Sequence, residues 1–284
     1  MDEMHKRLSF YASSLKSFTS SSSPFRILHS IPSPPSPSSP LKTLHILDSS
    51  FNPPTLAHLR ICLSALRSTP PSSYPKRVLL LLATQNADKD LKPASLDHRL
   101  IMMEIFASDL LSSFQSKNGG GEVGVDIALI AAPYFHDKAR IIEESGIYPE
   151  DVEQVHLTGY DTLIRFLNPK YYPPKHDLSP LTPFLAKHKL RVSYRAGGEW
   201  GGKEEQDGWL RAMGEGEVEK LGGRREWVDE GRIVLVDTRG EKGVVSSTKV
   251  REAVGNGDKE QLGKLVTKGV GEWILGEGLY REGK

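Results

Sequence analysis

Cysteine is almost absent from this chain: Cys62 is the single one in 284 residues. One thiol excludes an internal disulfide framework and any metal site built on several cysteines. It falls within a helical pattern, where a small core residue is expected rather than a reactive thiol. Long apolar runs are missing too, and none approaches the roughly 18 residues that a spanning helix needs. Nor is there a charge of one sign to speak of. Lys plus Arg (37) and Asp plus Glu (36) leave a formal charge of +1, which gives no bulk attraction to nucleic acid or acidic membranes. Local basic residues leave anionic small molecules open as ligands. No apolar core resembles a secretory signal, and Asp2 and Glu3 are out of keeping with an acid-poor mitochondrial segment. The expected location is therefore a reducing compartment, cytoplasm or nucleus, with mitochondrial targeting as the lesser alternative.

The first 41 residues differ from the rest. Leu8, Tyr11, Leu15 and Phe18 recur at helical spacing, and the Ser- and Pro-rich stretches that follow read as flexible or polyproline-like linker. This predicts an N-terminal appendage over 1–41 that packs on a body spanning 42–284. In the body, strand patterns (43–47, 77–83, 123–130, 152–158, 189–195, 231–237) alternate with helix patterns (56–67, 95–114, 137–145, 161–167, 246–254, 259–266). Such alternation predicts an α/β, Rossmann-like, mainly parallel sheet with helices on both faces. Residues 196–229, rich in Gly and Glu with Trp200, Trp209 and Trp227, read as an insertion with one helix, mobile flanks and a solvated charged face. In such sheets ligands bind outside the carboxyl ends of the strands. The turns around Ser49, Asn86, Gly159 and Ser246 are therefore where function is expected.

Two of these turns carry chemistry. In "LDSSFNPPTLAHLRI" (47–61) a strand gives way to a helix, and the Ser50 and Thr55 hydroxyls stand with the first helical N–H groups where an anion can sit. His58 lies one turn past Thr55 on the same face, as a protonated or N–H-donating contact for phosphate. Taken alone, the turn is weak evidence, because a lone histidine after a turn is more often structural. In "GVVSSTKVREAV" (243–254), Ser246, Ser247 and Thr248 open a helix with Arg251 one turn later. Three hydroxyls and a guanidinium exceed what a cap requires and suit a polyphosphate. Two anion sites on one sheet suggest a nucleoside triphosphate.

"SFNPPTLAH" resembles the (H/T)xGH phosphate motif of nucleotidylyltransferases, and "VSSTKVR" resembles their ISSTxxR motif. The chain is similar, over roughly 43–280, to the nicotinamide mononucleotide adenylyltransferase family, in a divergent branch found in fungi. "GYDTLIRFLNPKYY" (159–172) is similar to that family's Gly-x-Asp stretch, "NADK" (86–89) with "DHRLIMMEIFA" (97–107) to its Lys and His-Arg segment, and "VGEWILGEGLY" (270–280) to its ending. Three positions depart from the pattern. Ser49 and Ala57 replace glycines of the phosphate motif, and the family's Trp after the third strand is replaced in "APYFHDK" (132–138) by Tyr134 or Phe135, which could equally be core residues.

The resemblance implies transfer of the adenylyl group of ATP to a mononucleotide such as NMN or its acid form, giving the dinucleotide and pyrophosphate. It implies that the turn Ser49, Ser50, Phe51 and Asn52 binds phosphate, with Thr55 supporting that end and His58 on the α- and β-phosphates. Ser246, Ser247, Thr248 and Arg251 would hold the β- and γ-phosphates. Asn86, Lys89, Tyr134, Gly159 and Asp161 would serve the acceptor and the nucleotide sugars or base. Mg²⁺ would accompany ATP with few direct protein ligands; no nucleic acid or membrane partner is expected, and oligomeric state is open. The competing expectations are an ATP-binding sensor or assembly factor, an ATPase, transfer to another phosphorylated acceptor, and an α/β protein with no phosphate site.

Overall fold

The computed structural model describes residues 2–32, 41–68, 75–84, 94–118, 122–195, 200–238 and 245–281. Helix α1 (Asp2–Thr19) leads into strand β1 (Phe25–Ile31). Then come β2 (Thr43–Asp48), α2 (Leu56–Ser68), β3 (Lys76–Ala83), α3 (Leu96–Asn118), β4 (Val123–Ile130), α4 (Phe135–Glu144), β5 (Glu153–Gly159) and α5 (Tyr160–Phe166). After α6 (Thr182–Lys187) and β6 (Lys189–Ser193), the chain forms α7 (Lys203–Ala212), the short α8 (Val218–Lys220) and α9 (Glu226–Asp229), and β7 (Ile233–Val236). Three helices close it: α10 (Ser247–Gly255), α11 (Lys259–Leu265) and α12 (Lys268–Gly276).

The strands form one sheet in the order β1-β4-β3-β2-β5-β6-β7. All neighbours are parallel except β1 with β4. Strand β3 reads as an unbroken apolar run because both of its faces are covered. Val78, Leu80 and Leu82 face the cluster under α1, α2, α3 and the closing helices, while Leu79, Leu81 and Ala83 face the opposite layer with Ile142 of α4. Order reverses between β2 and β5, where a doubly wound sheet opens its ligand crevice.

The N-terminal segment is more than a helix and a linker. Helix α1 packs on α3 through Glu104, which accepts from Arg7 Nη2 (2.6 Å) and from the hydroxyl of the buried Tyr11 (2.7 Å). Phe25–Ile31, between the two Ser-rich stretches, adds an antiparallel edge strand with Phe25 opposite Ile130. A register shift between Ile27 and His29 breaks the period of two in this strand, which is why its sequence shows no clean alternation.

The 200–229 region also departs from expectation. It holds several helical segments rather than one, and Met213, Val218 and Trp227 belong to a buried cluster with Leu163 and Phe184. Trp200 and Trp209 meet Tyr160 edge-on, at centroid distances of 6.5 and 5.8 Å. Among the described residues no helix is long and apolar enough to cross a membrane.

Candidate active site

A cavity of about 990 Å³ opens at the carboxyl ends of β2, β5 and β6. Ser49, Ser50, Thr55, His58, Tyr134, Gly159, Asp161, Ser246, Ser247, Thr248 and Arg251 all line it. Asn86 and Lys89 lie outside the described residues. Phe51 and Asn52 do not line the cavity, and their side chains are scaffold. Phe51 is fully buried at φ +43°. Asn52 is 7 % exposed, and its Oδ1 accepts from Ala94 N and from the Tyr280 hydroxyl, both at 2.8 Å. The terminal Leu-Tyr pair thus has a physical use: its tyrosine holds the phosphate-type turn.

The two motif segments are cross-linked. Arg251 Nη1 donates to the Asn52 carbonyl (2.8 Å) and Ser247 Oγ to the Pro53 carbonyl (2.8 Å). Each of the three hydroxyls expected to face phosphate also has a local partner. Ser246 Oγ caps α10 by accepting from Lys249 N (3.2 Å), Ser247 laces the turn, and Thr248 Oγ1 accepts from Arg251 Nη2 (3.2 Å). The first turns of α2 and α10 therefore border one space.

His58 is held in one tautomer. The Thr55 backbone N–H donates to Nδ1 (2.9 Å), so that nitrogen carries a lone pair and the ring proton sits on Nε2. The Thr55 hydroxyl lies 2.9 Å from the same Nδ1, and Ser49 Oγ lies 3.1 Å from Nε2. Burial, helped by the positive Arg195, pushes the imidazole down to about 4. His58 is neutral at physiological pH and offers an N–H. Of the two forms expected, protonated or N–H-donating, the free protein holds the second.

Arg195, which the motifs did not point to, follows β6 and donates from Nε to Asp161 Oδ1 (2.8 Å). Its backbone is gripped by Gln206 of α7, a fully buried side chain. Arg195 N donates to Gln206 Oε1 (3.1 Å), and Gln206 Nε2 donates to Arg195 O (2.8 Å). A Cβ on Gly159 would stand 2.7 Å from Asp161 Oδ1, so a larger residue there would displace the Asp161 carboxylate. Lys138 of α4 ion-pairs with Asp48 at the end of β2. Five cations (Arg60, Lys138, Arg165, Arg195, Arg251) line the cavity against three carboxylates (Asp48, Asp161, Asp237), which suits a polyanionic ligand. Arg195 stands at a strand's carboxyl end, a position that alone could have marked it.

Tyr134 stacks on His136 (5.9 Å, 15° between planes) and approaches Tyr172 (6.5 Å), with its ring on the cavity wall. Phe135 turns instead against Phe166 and His156. Both aromatics considered for stacking line the cavity, and Phe135 also packs edge-on against two rings of the core.

No family model matches the chain. Its sequence is 32% identical, over 94% of this chain and 93% of the other, to a Schizosaccharomyces pombe protein provisionally named a nicotinamide mononucleotide adenylyltransferase. In fold it is similar to Plasmodium falciparum nicotinic acid mononucleotide adenylyltransferase complexed with NaAD (TM-score 0.51, 15% identity, 84% of this chain and 97% of that one). The complex of that enzyme with APC superposes with a TM-score of 0.50 at 13% identity, over the same shares. The chain belongs to the nicotinamide mononucleotide adenylyltransferase family, a family of nucleotidyltransferases.

Proposed function

We propose that the protein joins ATP to nicotinamide mononucleotide, or to its acid form, giving the dinucleotide and pyrophosphate. The observation that carries this is the cross-link between the two phosphate-type turns, Arg251 to Asn52 and Ser247 to Pro53, across one cavity. A phosphate monoester has its second pKa near about 6 and is largely dianionic at neutral pH, so the nucleophile needs no base. An acceptor phosphate oxygen bonds to the α-phosphorus in line, the bond from that phosphorus to the α,β-bridging oxygen breaks, and pyrophosphate leaves with the electron pair. Positioning and charge stabilisation supply the catalysis.

In this reading His58 gives its Nε2–H to an α-phosphate oxygen, exchanging it from Ser49 Oγ, while Thr55 fixes the ring. Arg251 and the amides at Ser247 and Thr248 take the departing β- and γ-phosphates. Asp161, steadied by Arg195, orients a ribose or base, and Tyr134 stacks on the pyridine. Among the described residues no group of three or more His, Cys, Asp or Glu is placed to hold a metal. The donors that fit Mg²⁺ are the ATP oxygens and water, and the ion would arrive with the nucleotide and temper its charge.

Incubation with Mg-ATP and each mononucleotide, with products identified by mass, tests the proposal. NAD or its acid analogue with one pyrophosphate per dinucleotide is expected. ADP without dinucleotide would overturn it in favour of an ATPase.

A further inference from the structure

Adenylyl transfer brings two anions together, and the site supplies positive charge unevenly. Arg251 stands at the helix that faces the leaving phosphates, and His58 is neutral. A dianionic acceptor phosphate calls for a cation close both to Tyr134 and to the Ser49–His58 turn, and of the five cations lining the cavity Lys138 is bonded to both neighbourhoods. It lies one turn into α4 from Tyr134, its N–H donating to the Tyr134 carbonyl (3.0 Å). Its ammonium pairs with Asp48, the residue directly before Ser49, and Ser49 in turn contacts His58. It also lies 5.6 Å from the Phe135 ring centre. The side chains of Lys138 and Asp48 are 5% and 9% exposed, yet both residues line the cavity.

Stability alone does not account for this pair. Two desolvated charges forfeit hydration that their attraction barely restores, and apolar residues of similar volume commonly do as well or better. A desolvated ammonium on a cavity wall is, by contrast, well suited to an entering phosphate. We propose that Lys138 binds the acceptor's phosphate, with Asp48 as the positioning residue that keeps the ammonium aimed into the cavity. This rests on the adenylyl-transfer reading.

The test compares Lys138→Met, Asp48→Asn and the double variant by thermal unfolding and by steady-state kinetics with Mg-ATP and the better mononucleotide. Each single variant loses stability because it leaves one buried charge alone. The double variant recovers stability but keeps an acceptor KM raised about ten- to a hundredfold, the range for a lost charged hydrogen bond, while its ATP KM stays near wild type. A double variant with wild-type acceptor KM, or with both KM values raised alike, would overturn the proposal.

A second measurement reads the unaltered protein and uses a variant only to assign the signal. The Lys138 ammonium signal, assigned by comparison with Lys138→Arg, should shift on adding the mononucleotide and not on adding the nucleoside that lacks phosphate. Equal responses to both, or none to either, would overturn the assignment. Absence of any dinucleotide from the wild type would instead remove the adenylyl-transfer reading, and the Lys138 role with it.

Discussion

At the proposed phosphate end of the cavity, Ser49–His58 and Ser246–Arg251 are two contiguous segments bound to each other by Arg251 and Ser247. At the proposed acceptor end, Tyr134 meets Tyr172 by a ring contact, while Asp161, in the same stretch as Tyr172, pairs with Arg195 beyond β6. The phosphate end reuses what any helix start provides, N–H groups and a few hydroxyls, and its residues are neighbours in sequence. On the proposed reading the acceptor end has to match a ring and a sugar, which takes surfaces from distant parts of the chain.

His58→Ala should break the phosphate end most severely, costing on the order of 3 kcal/mol in the transition state by analogy with a lost oxyanion donor. Turnover near the wild-type rate with saturating substrates would remove His58 from the chemistry. Arg251→Ala should cost about 2 kcal/mol, the scale of a hydrogen bond to a charged group. The loss should be seen in ATP KM or turnover with the protein still folded. A fall in melting temperature with ATP binding unchanged would make Arg251 a strut alone.

Gln206→Leu reaches the other end through Arg195. It strips partners from the Arg195 N–H and carbonyl and should lower stability in urea by roughly 1–3 kcal/mol. Unchanged stability would mean the helix does not hold Arg195. Tyr134→Ala should be the mildest, raising acceptor KM by about 1 kcal/mol with ATP KM unaltered; equal effects on both substrates would place the ring elsewhere.

The contrast also has a pH signature. Because His58 is pushed down to about 4 from an ordinary 6.5, the unfolded chain binds a proton in that interval and the folded one does not. Stability therefore falls as pH drops from 6.5 toward 4. His58 should show, by nitrogen chemical shifts, an Nε2–H neutral ring at pH 6. A charged ring at that pH would contradict the Thr55 hydrogen bond.

The sheet was legible in the sequence because strands such as 77–83 and 123–130 are buried on both faces and leave apolar runs. The edge strand Phe25–Ile31 was hidden by its bulge and by the Ser and Pro around it. His58, Thr55 and Arg251 were legible because helix starts concentrate them within a few residues. Phe51 and Asn52 belonged to the same motif, but which of its members face ligand and which face core depends on tertiary partners such as Tyr280. Gln206 and Lys138 gave no local signal, and Arg195 gave only its place at the end of the expected strand 189–195. Lys138 sits in a stretch, "DKARIIEES", that reads simply as a helix, and only the fold brings Asp48 against it.

Direct attack is tested most plainly at the α-phosphorus itself. ATP made chiral there by sulfur substitution, turned over with the accepted mononucleotide, should give a dinucleotide of inverted configuration, the outcome of one in-line displacement. Retention would require two displacements through a covalent adenylyl-protein and would contradict the account.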